Sequence, residues 1–338
     1  MTTPATEADQ ISNIAFGFMG SKALFVALDL GVFTHLSAGP MTAEEMASAT
    51  GIHRDRAETL MTALTGLGLL VVAEGRFSNS PAAEAFLVKG AKYDFGDYLR
   101  LQVGQQMYPL LDQLDAAVKG ELPEDATASY EQWFSDPDQA RLYSQSQHAG
   151  SLGPARQLAK KVDLTGARHL LDVGGGTGAF AITLCKSFPD LSATIVDFPN
   201  VAALGRQYVA KAGLSDRIRY VEGNALRTDW PAGQDVVLMS YLFSGVPGEC
   251  HDDLIADARQ ALVPGGRLVI HDFMVEADRS GPELAALWQL QHTAFTPHAR
   301  SLDDAWLTDA LKRAGFAVED VRPMIPELTM LVEARKAG

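Results

Sequence analysis

A doubly wound α/β domain with a smaller, mostly helical domain in front of it is the architecture this sequence predicts, on three observations. From Val162 onward, short apolar runs alternate with helix-compatible stretches. One of those runs, His169–Val173, breaks straight into the glycines Gly174–Gly178. The first hundred residues show no such alternation and read instead as helices followed by a hairpin.

The elements follow in order. Ile11–Leu30 carries apolar residues at Ile11, Ile14, Phe18, Phe25 and Leu28 with few charges, and Gly31 stops it. A helix apolar on most of its surface has to be buried, within the chain or against a second copy. Thr42–Ala49 and His53–Leu67 read as short helices, and Leu69–Ala73 with Arg76–Asn79 as strands joined at Glu74-Gly75. Two short helices and a hairpin are the elements of a winged helix. Residues 1–100 hold seven Lys or Arg against eleven Asp or Glu, which argues against DNA as the partner and for dimerisation. Asp94–Gly120 and Pro137–Lys161 read as helices with a loop, Glu121–Ser129, between them. The expected domains are therefore 1–100, a helical linker over 101–161, and 162–338.

The alternating region reads as His169–Val173, Ala179–Phe188, Ala193–Asp197, Val201–Ala212, Ile218–Glu222, Asp235–Tyr241, Glu249–Leu262 and Arg267–Phe273. Pro282–Ala294 and Leu302–Ala314 are helical, and Ala317–Pro323 and Glu327–Ala334 are a closing pair of strands. A net charge of −14 disfavours a nucleic-acid backbone as ligand. Cys185 and Cys250 cannot form a disulfide framework or a Cys-x-x-Cys metal site. No signal peptide and no apolar run of membrane-spanning length is expected, so a cytoplasmic protein without a membrane partner is.

The glycines at a strand-to-helix turn let a backbone approach a ligand closely. Asp197, 25 residues after Asp172, ends the next strand, where a carboxylate can accept from a ribose diol. Spacing alone leaves a dinucleotide open. The run Asp-Val-Gly-Gly-Gly-Thr-Gly (172–178) and the continuation Asp197-Phe198-Pro199, however, resemble the small-molecule O-methyltransferases that use S-adenosylmethionine. Val221-Glu222-Gly223-Asn224 and Leu262-Val263-Pro264-Gly265-Gly266-Arg267-Leu268 extend the resemblance over nearly the whole chain. It implies a Rossmann-like class I methyltransferase sheet of seven strands, the last antiparallel, and a homodimer built on an N-terminal winged-helix dimerisation domain. It also implies S-adenosyl-L-methionine as cofactor, held by Gly174, Gly176, Gly178, Asp197, Phe198, Asn224, Ala225, Ser240 and Tyr241.

The resemblance fails at one place. The family commonly has Lys-x-x-Leu-His-Asp-Trp after the fourth strand, with the His as general base. Here the run is Ser240-Tyr241-Leu242-Phe243-Ser244-Gly245-Val246, so Ser244 replaces the base. Three explanations stay open: an acceptor with no proton to lose, such as a thioether; a base or metal recruited from His271, Asp272 or His292; and a catalytically inactive cofactor sensor. His271 and Asp272 alternate along a strand, so at most one joins His292, and no metal site is assigned. Tyr143, Ser146 and Gln147 share a face of an unusually polar helix, beside His148. Trp288, Gln291, His292 and Phe295 share another, and are read as pocket lining. The expected substrate residues are Tyr143, Gln147, His148, Trp288 and His292, with His298 and Arg300 on a loop beyond. Polar walls without a base favour S-methylation of a small thioether acid, as in the methylthiohydroxybutyrate step of dimethylsulfoniopropionate synthesis. The alternative is an O- or C-methyltransferase of a natural product or α-keto acid.

Overall fold

The computed structural model describes residues 4–122, 130–296 and 298–338, without the Phe295 side chain. The described chain forms two compact units that divide after Pro109. The first contains α1 (Ala8–Asp29), α2 (Val32–Leu36), α3 (Ala43–Thr50), α4 (Arg54–Gly66), β1 (Leu70–Ala73), β2 (Arg76–Asn79) and α5 (Pro81–Phe86). Local chemistry sets these boundaries. Thr42 and Glu45 cap α3 reciprocally, with the Glu45 amide on the Thr42 hydroxyl and the Thr42 amide on the Glu45 carboxylate. Gly31, at φ 70°, turns the chain between α1 and α2. Phe33, Leu36, Met46, Met61, Leu64 and Phe77 form the core of this unit.

Two expectations need correction here. The continuous helix expected over Asp94–Gly120 is instead a π-helix, Tyr98–Met107, a 3₁₀ stretch, Tyr108–Gln113, and α6 (Leu114–Lys119). Pro109 lacks an amide proton, and Gly104 lies so close to the Phe25 ring that a Cβ would sit 2.9 Å from it. The Glu121–Ser129 loop lies largely outside the described residues. α1, moreover, is long and apolar enough by length and composition to span a membrane, with Asp9, Lys22 and Asp29 its only charged residues. It leaves Ile11, Ile14, Phe16, Phe18 and Met19 exposed.

The second unit continues with α7 (Tyr130–Ser135), α8 (Pro137–Lys161), β3 (His169–Val173), α9 (Ala179–Ser187), β4 (Ser192–Asp197), α10 (Pro199–Lys211) and β5 (Ile218–Glu222). It closes with β6 (Gln234–Ser240), α11 (His251–Ala261), β7 (Leu262–Asp272), α12 (Glu283–Phe295), α13 (Asp304–Arg313), β8 (Phe316–Ile325) and β9 (Thr329–Lys336). Seven strands lie in the order β5-β4-β3-β6-β7-β9-β8. β3 to β7 pair in parallel, and β9 runs antiparallel between β7 and β8, as expected.

Strand periodicity divides the core between the two faces of this sheet. Leu171, Val173, Val237, Met239, Leu268 and Ile270 pack with Leu254 and Ile255 of α11 and Leu307 and Leu311 of α13. Leu170, Ile195, Leu238 and Val269 pack on the other face with Leu158 of α8 and Phe180 and Leu184 of α9. Covered on both faces, the sheet exposes its strand ends, and its order reverses between β3 and β6, the place where such folds bind ligands.

Candidate active site

The carboxyl ends of β3, β4, β5 and β6 open into a cavity of about 320 Å³, roofed by α7 and walled by α8. Its floor is the glycine turn. Gly174 and Gly176 have φ of 66° and 59°, and both line the cavity. Gly175 lies against the Asp172 carboxyl, so that a Cβ there would stand 2.6 Å from Cγ. Gly178 does not line the cavity. It starts α9 at φ 81° and packs on Ile195 and Tyr220, where a Cβ would come within 2.9 Å and 3.1 Å.

Asp197 is fixed by its neighbours: its Oδ2 accepts from the Gly176 amide at 2.7 Å and its Oδ1 from the Phe198 amide at 2.8 Å. Each oxygen keeps a lone pair for the cavity, and burial pushes the carboxyl up to about 6. Asp172 also lines the cavity and is fully buried, with neither carboxyl oxygen hydrogen-bonded. Burial, then the negative charge of Asp197, pushes it up to about 7. A buried carboxyl with no partner is costly unless a ligand supplies one. Phe198, Asn224, Ala225, Ser240 and Tyr241 line the same cavity. Asn224 is held by its own turn, its Oδ1 accepting from the Leu226 amide at 3.0 Å. Tyr241 stands at φ 58°, a conformation rare for a residue with a Cβ, at the end of β6.

The α8 wall differs from the expected face. Tyr143 and Gln147 line the cavity, and the Gln147 amide donates to the Tyr143 hydroxyl at 3.1 Å. Ser146 is turned away, donating to the Tyr143 carbonyl at 2.7 Å. Ser144, whose buried hydroxyl has no partner, and Ser151 take its place. Spacings of three and four residues fit either face of a helix, and only the packing chooses. His148 lies behind the glycine turn, 2.7 Å from the Thr177 hydroxyl and with its ring 3.9 Å from that of Tyr208. It does not line the cavity, and burial, then Lys211, holds it down at about 4.

Trp288 and His292 do not line the cavity either. The Trp288 ring stacks on Phe273 at 4.4 Å, and the Gln289 amide bridges the carbonyls of Phe273 and Leu302. That face of α12 is packed on the chain following β7. His292 nevertheless reaches the cavity at one remove: its Nδ1 is 3.3 Å from the hydroxyl of Thr296, which lines it. Arg300 stacks on Trp306 with its guanidinium carbon 4.1 Å from the ring centre, and His298 is exposed.

Ser244 is buried and outside the cavity, its amide donating to Asp272 at 3.1 Å. Gly245 lines the cavity, and the Tyr130 ring fills the room beside it, 3.0 Å from where a Cβ would be. His271 and Asp272 point to opposite faces, one to Ser240 and Thr329 and the other to Ser244, as alternation requires. Among the described residues, no group of three His, Cys, Asp or Glu side chains could hold a metal ion. Sequence reasoning missed Asp172, Ser144, Ser151, Tyr130 and Thr296 as lining residues. Asp172 alone carried a signal, as the acid two residues before the first of the glycines.

A glycine turn beside a strand-end carboxylate at the reversal of a parallel sheet defines a nucleoside-binding α/β domain. Comparison with known proteins narrows the class. Residues 113–317 match the O-methyltransferase domain and residues 12–89 the O-methyltransferase dimerisation domain. The chain is 34% identical over 329 residues to the 3-hydroxy-5-methyl-1-naphthoate 3-O-methyltransferase of Streptomyces sahachiroi, covering 97% of this chain and 95% of that protein. It is 32% identical over 320 residues to the N,N-dimethyltransferase OxyT of Streptomyces rimosus, covering 93% and 92%. Human N-acetylserotonin methyltransferase in complex with SAM shares the fold with a TM-score of 0.86 at 21% identity, over 100% of both chains. The chain belongs to the O-methyltransferase family and is a methyltransferase. These relatives are named for oxygen and nitrogen acceptors, so the expected S-methylation of methylthiohydroxybutyrate is not supported, and the hydroxyl alternative fits better.

Proposed function

We propose that this protein is an S-adenosylmethionine-dependent O-methyltransferase of the natural-product type, acting as a cytoplasmic homodimer on a small acceptor with an acidic hydroxyl. The observation that carries this reading is the pair of buried carboxyls, Asp172 and Asp197, facing one cavity across the glycine turn. The donor carries a ribose diol and an ammonium group, and the two carboxyls suit them in kind. Asp197 is braced by two backbone amides and accepts from the diol, while the unpartnered Asp172 takes the ammonium. In this reading Phe198, Asn224 and Ala225, which line the same cavity, hold the base. When bound, S-adenosylmethionine supplies an electrophilic methyl group on a positively charged sulfur.

The protein's remaining task is to hold the acceptor oxygen in line and take up its proton. Thr296 borders the cavity, and His292 behind it stays neutral because burial pushes it down to about 4. A proton leaving the acceptor passes to the Thr296 oxygen as the Thr296 proton moves to His292 Nδ1. So weak a base works only on an acidic hydroxyl, one on a ring conjugated with a carboxyl or carbonyl group. Ser144 and Gln147 offer hydrogen bonds to the oxygen as it becomes anionic.

The test is a screen of the purified enzyme with methyl-labelled donor against hydroxynaphthoates, simple phenols, amines and methylthio acids. Label is expected on the hydroxynaphthoates. Label confined to methylthio acids or amines overturns the reading. His292→Asn is expected to lower kcat about 10²-fold, the lower end of what a general base contributes.

A further inference from the structure

One chain of side chains, buried beyond its cavity end, runs from the cavity across β7 to the start of β9. Ser240 Oγ, at the cavity, lies 2.8 Å from His271 Nδ1, and His271 Nε2 lies 2.9 Å from Thr329 Oγ1. His271 is completely buried and Thr329 is 2% exposed. The three residues sit at the ends of β6, β7 and β9, which are neighbours in the sheet.

The direction of the hydrogen bonds follows from the buried end. Thr329 Oγ1 has two partners, the Ile325 amide at 3.2 Å and His271 Nε2. The amide can only donate, so the buried hydroxyl proton has one acceptor within reach, Nε2. Nε2 is then the unprotonated nitrogen and Nδ1 carries the ring proton. Nδ1–H donates to Ser240 Oγ, which leaves the Ser240 proton directed away from the ring, toward the cavity that Ser240 lines. The ring stays neutral in this role, since burial keeps its affinity for a second proton low, at about 3.

We infer that Thr329 and His271 are positioning residues that polarise Ser240 into a hydrogen-bond donor for a lone-pair-bearing atom of the bound methyl donor. This rests on the donor-binding reading above.

Two measurements test it. Long-range proton–nitrogen NMR of the unliganded enzyme reports which His271 nitrogen bears the proton; Nδ1 is expected, and a protonated Nε2 overturns the inference. Calorimetry with S-adenosylhomocysteine then compares wild type, Ser240→Ala, Thr329→Val and the double variant. Ser240→Ala is expected to weaken binding about three- to tenfold, the worth of one neutral hydrogen bond. Thr329→Val, remote from the cavity, should cause part of that loss, and the double variant no more than Ser240→Ala alone. Ser240→Thr should restore binding. Additive losses, or none from Thr329→Val in a folded protein, overturn the relay. Failure of wild type to bind the probe overturns the donor-binding reading instead, and leaves the NMR result to judge His271.

Discussion

Asp172 shows at the scale of one residue how a buried carboxyl costs stability. Its folded pKa, about 7, is raised above the ordinary 3.8 because the charged form is buried, with Asp197 nearby. A raised carboxyl favours folding while protonated, so its contribution is fully present below pH 3.8 and is lost as pH rises through about 7. At pH 8 the ionised group is a liability until a cation pairs with it. Asp172→Asn should therefore raise the melting temperature of the unliganded protein at pH 8, by a stability on the order of 1–4 kcal/mol, with a smaller gain at pH 5. The same change should abolish measurable binding of S-adenosylhomocysteine. Thermal melts at the two pH values and one titration decide it, and a destabilised or binding-competent variant refutes the assignment. Gly245 gives the complementary case. Gly245→Asp meets the Tyr130 ring and should lose activity rather than gain a catalytic group.

At the scale of the element, α1 makes the clearest demand. Its exposed Ile14, at 77%, and Phe16 and Phe18, at 60% and 54%, lie within the matched dimerisation domain. An apolar face of this size is expected to be covered by a second copy. Ile14→Glu with Phe18→Glu should convert a dimer to a monomer in light scattering; a wild-type monomer at micromolar concentration, or a variant that stays dimeric, would count against it. The elements themselves were largely legible. Parallel strands buried on both faces read as short apolar runs, and β3 coincides with the stretch expected for it. The stretch before Gly120 was not legible, because the π-helix depends on Gly104 meeting Phe25, almost eighty residues away in sequence. The α8 wall was half legible for a similar reason: the polar run announced a site, but packing selected Ser144 over Ser146. Trp288 and His292 were misplaced because an apolar stripe with a polar member looks the same whether it borders a cavity or packs behind one.

For the whole molecule, two sets of buried groups pull the pH dependence in opposite directions. Asp172, Asp197 and Asp272 are raised to about 7, 6 and 6, all chiefly by burial. His148, His271 and His292 are lowered to about 4, 3 and 4, again chiefly by burial. Depressed histidines contribute stability above their ordinary 6.5 that is lost as pH falls through 4 and 3. Raised carboxyls gain stability as pH falls over an overlapping range. The unliganded protein should thus change little in melting temperature between pH 7.5 and 5.5. In the proposed site the methyl donor removes this balance, because pairing its ammonium and diol with Asp172 and Asp197 favours the ionised carboxyls. Saturating S-adenosylhomocysteine should therefore raise the melting temperature most above pH 7, and the rise should shrink steadily as pH falls through 6, since protonating the carboxyls competes with binding. Melts at half-unit intervals from pH 5 to 8, with and without the ligand, measure both curves. A ligand-induced rise that stays constant across that range would mean that neither carboxyl carries charge to the donor.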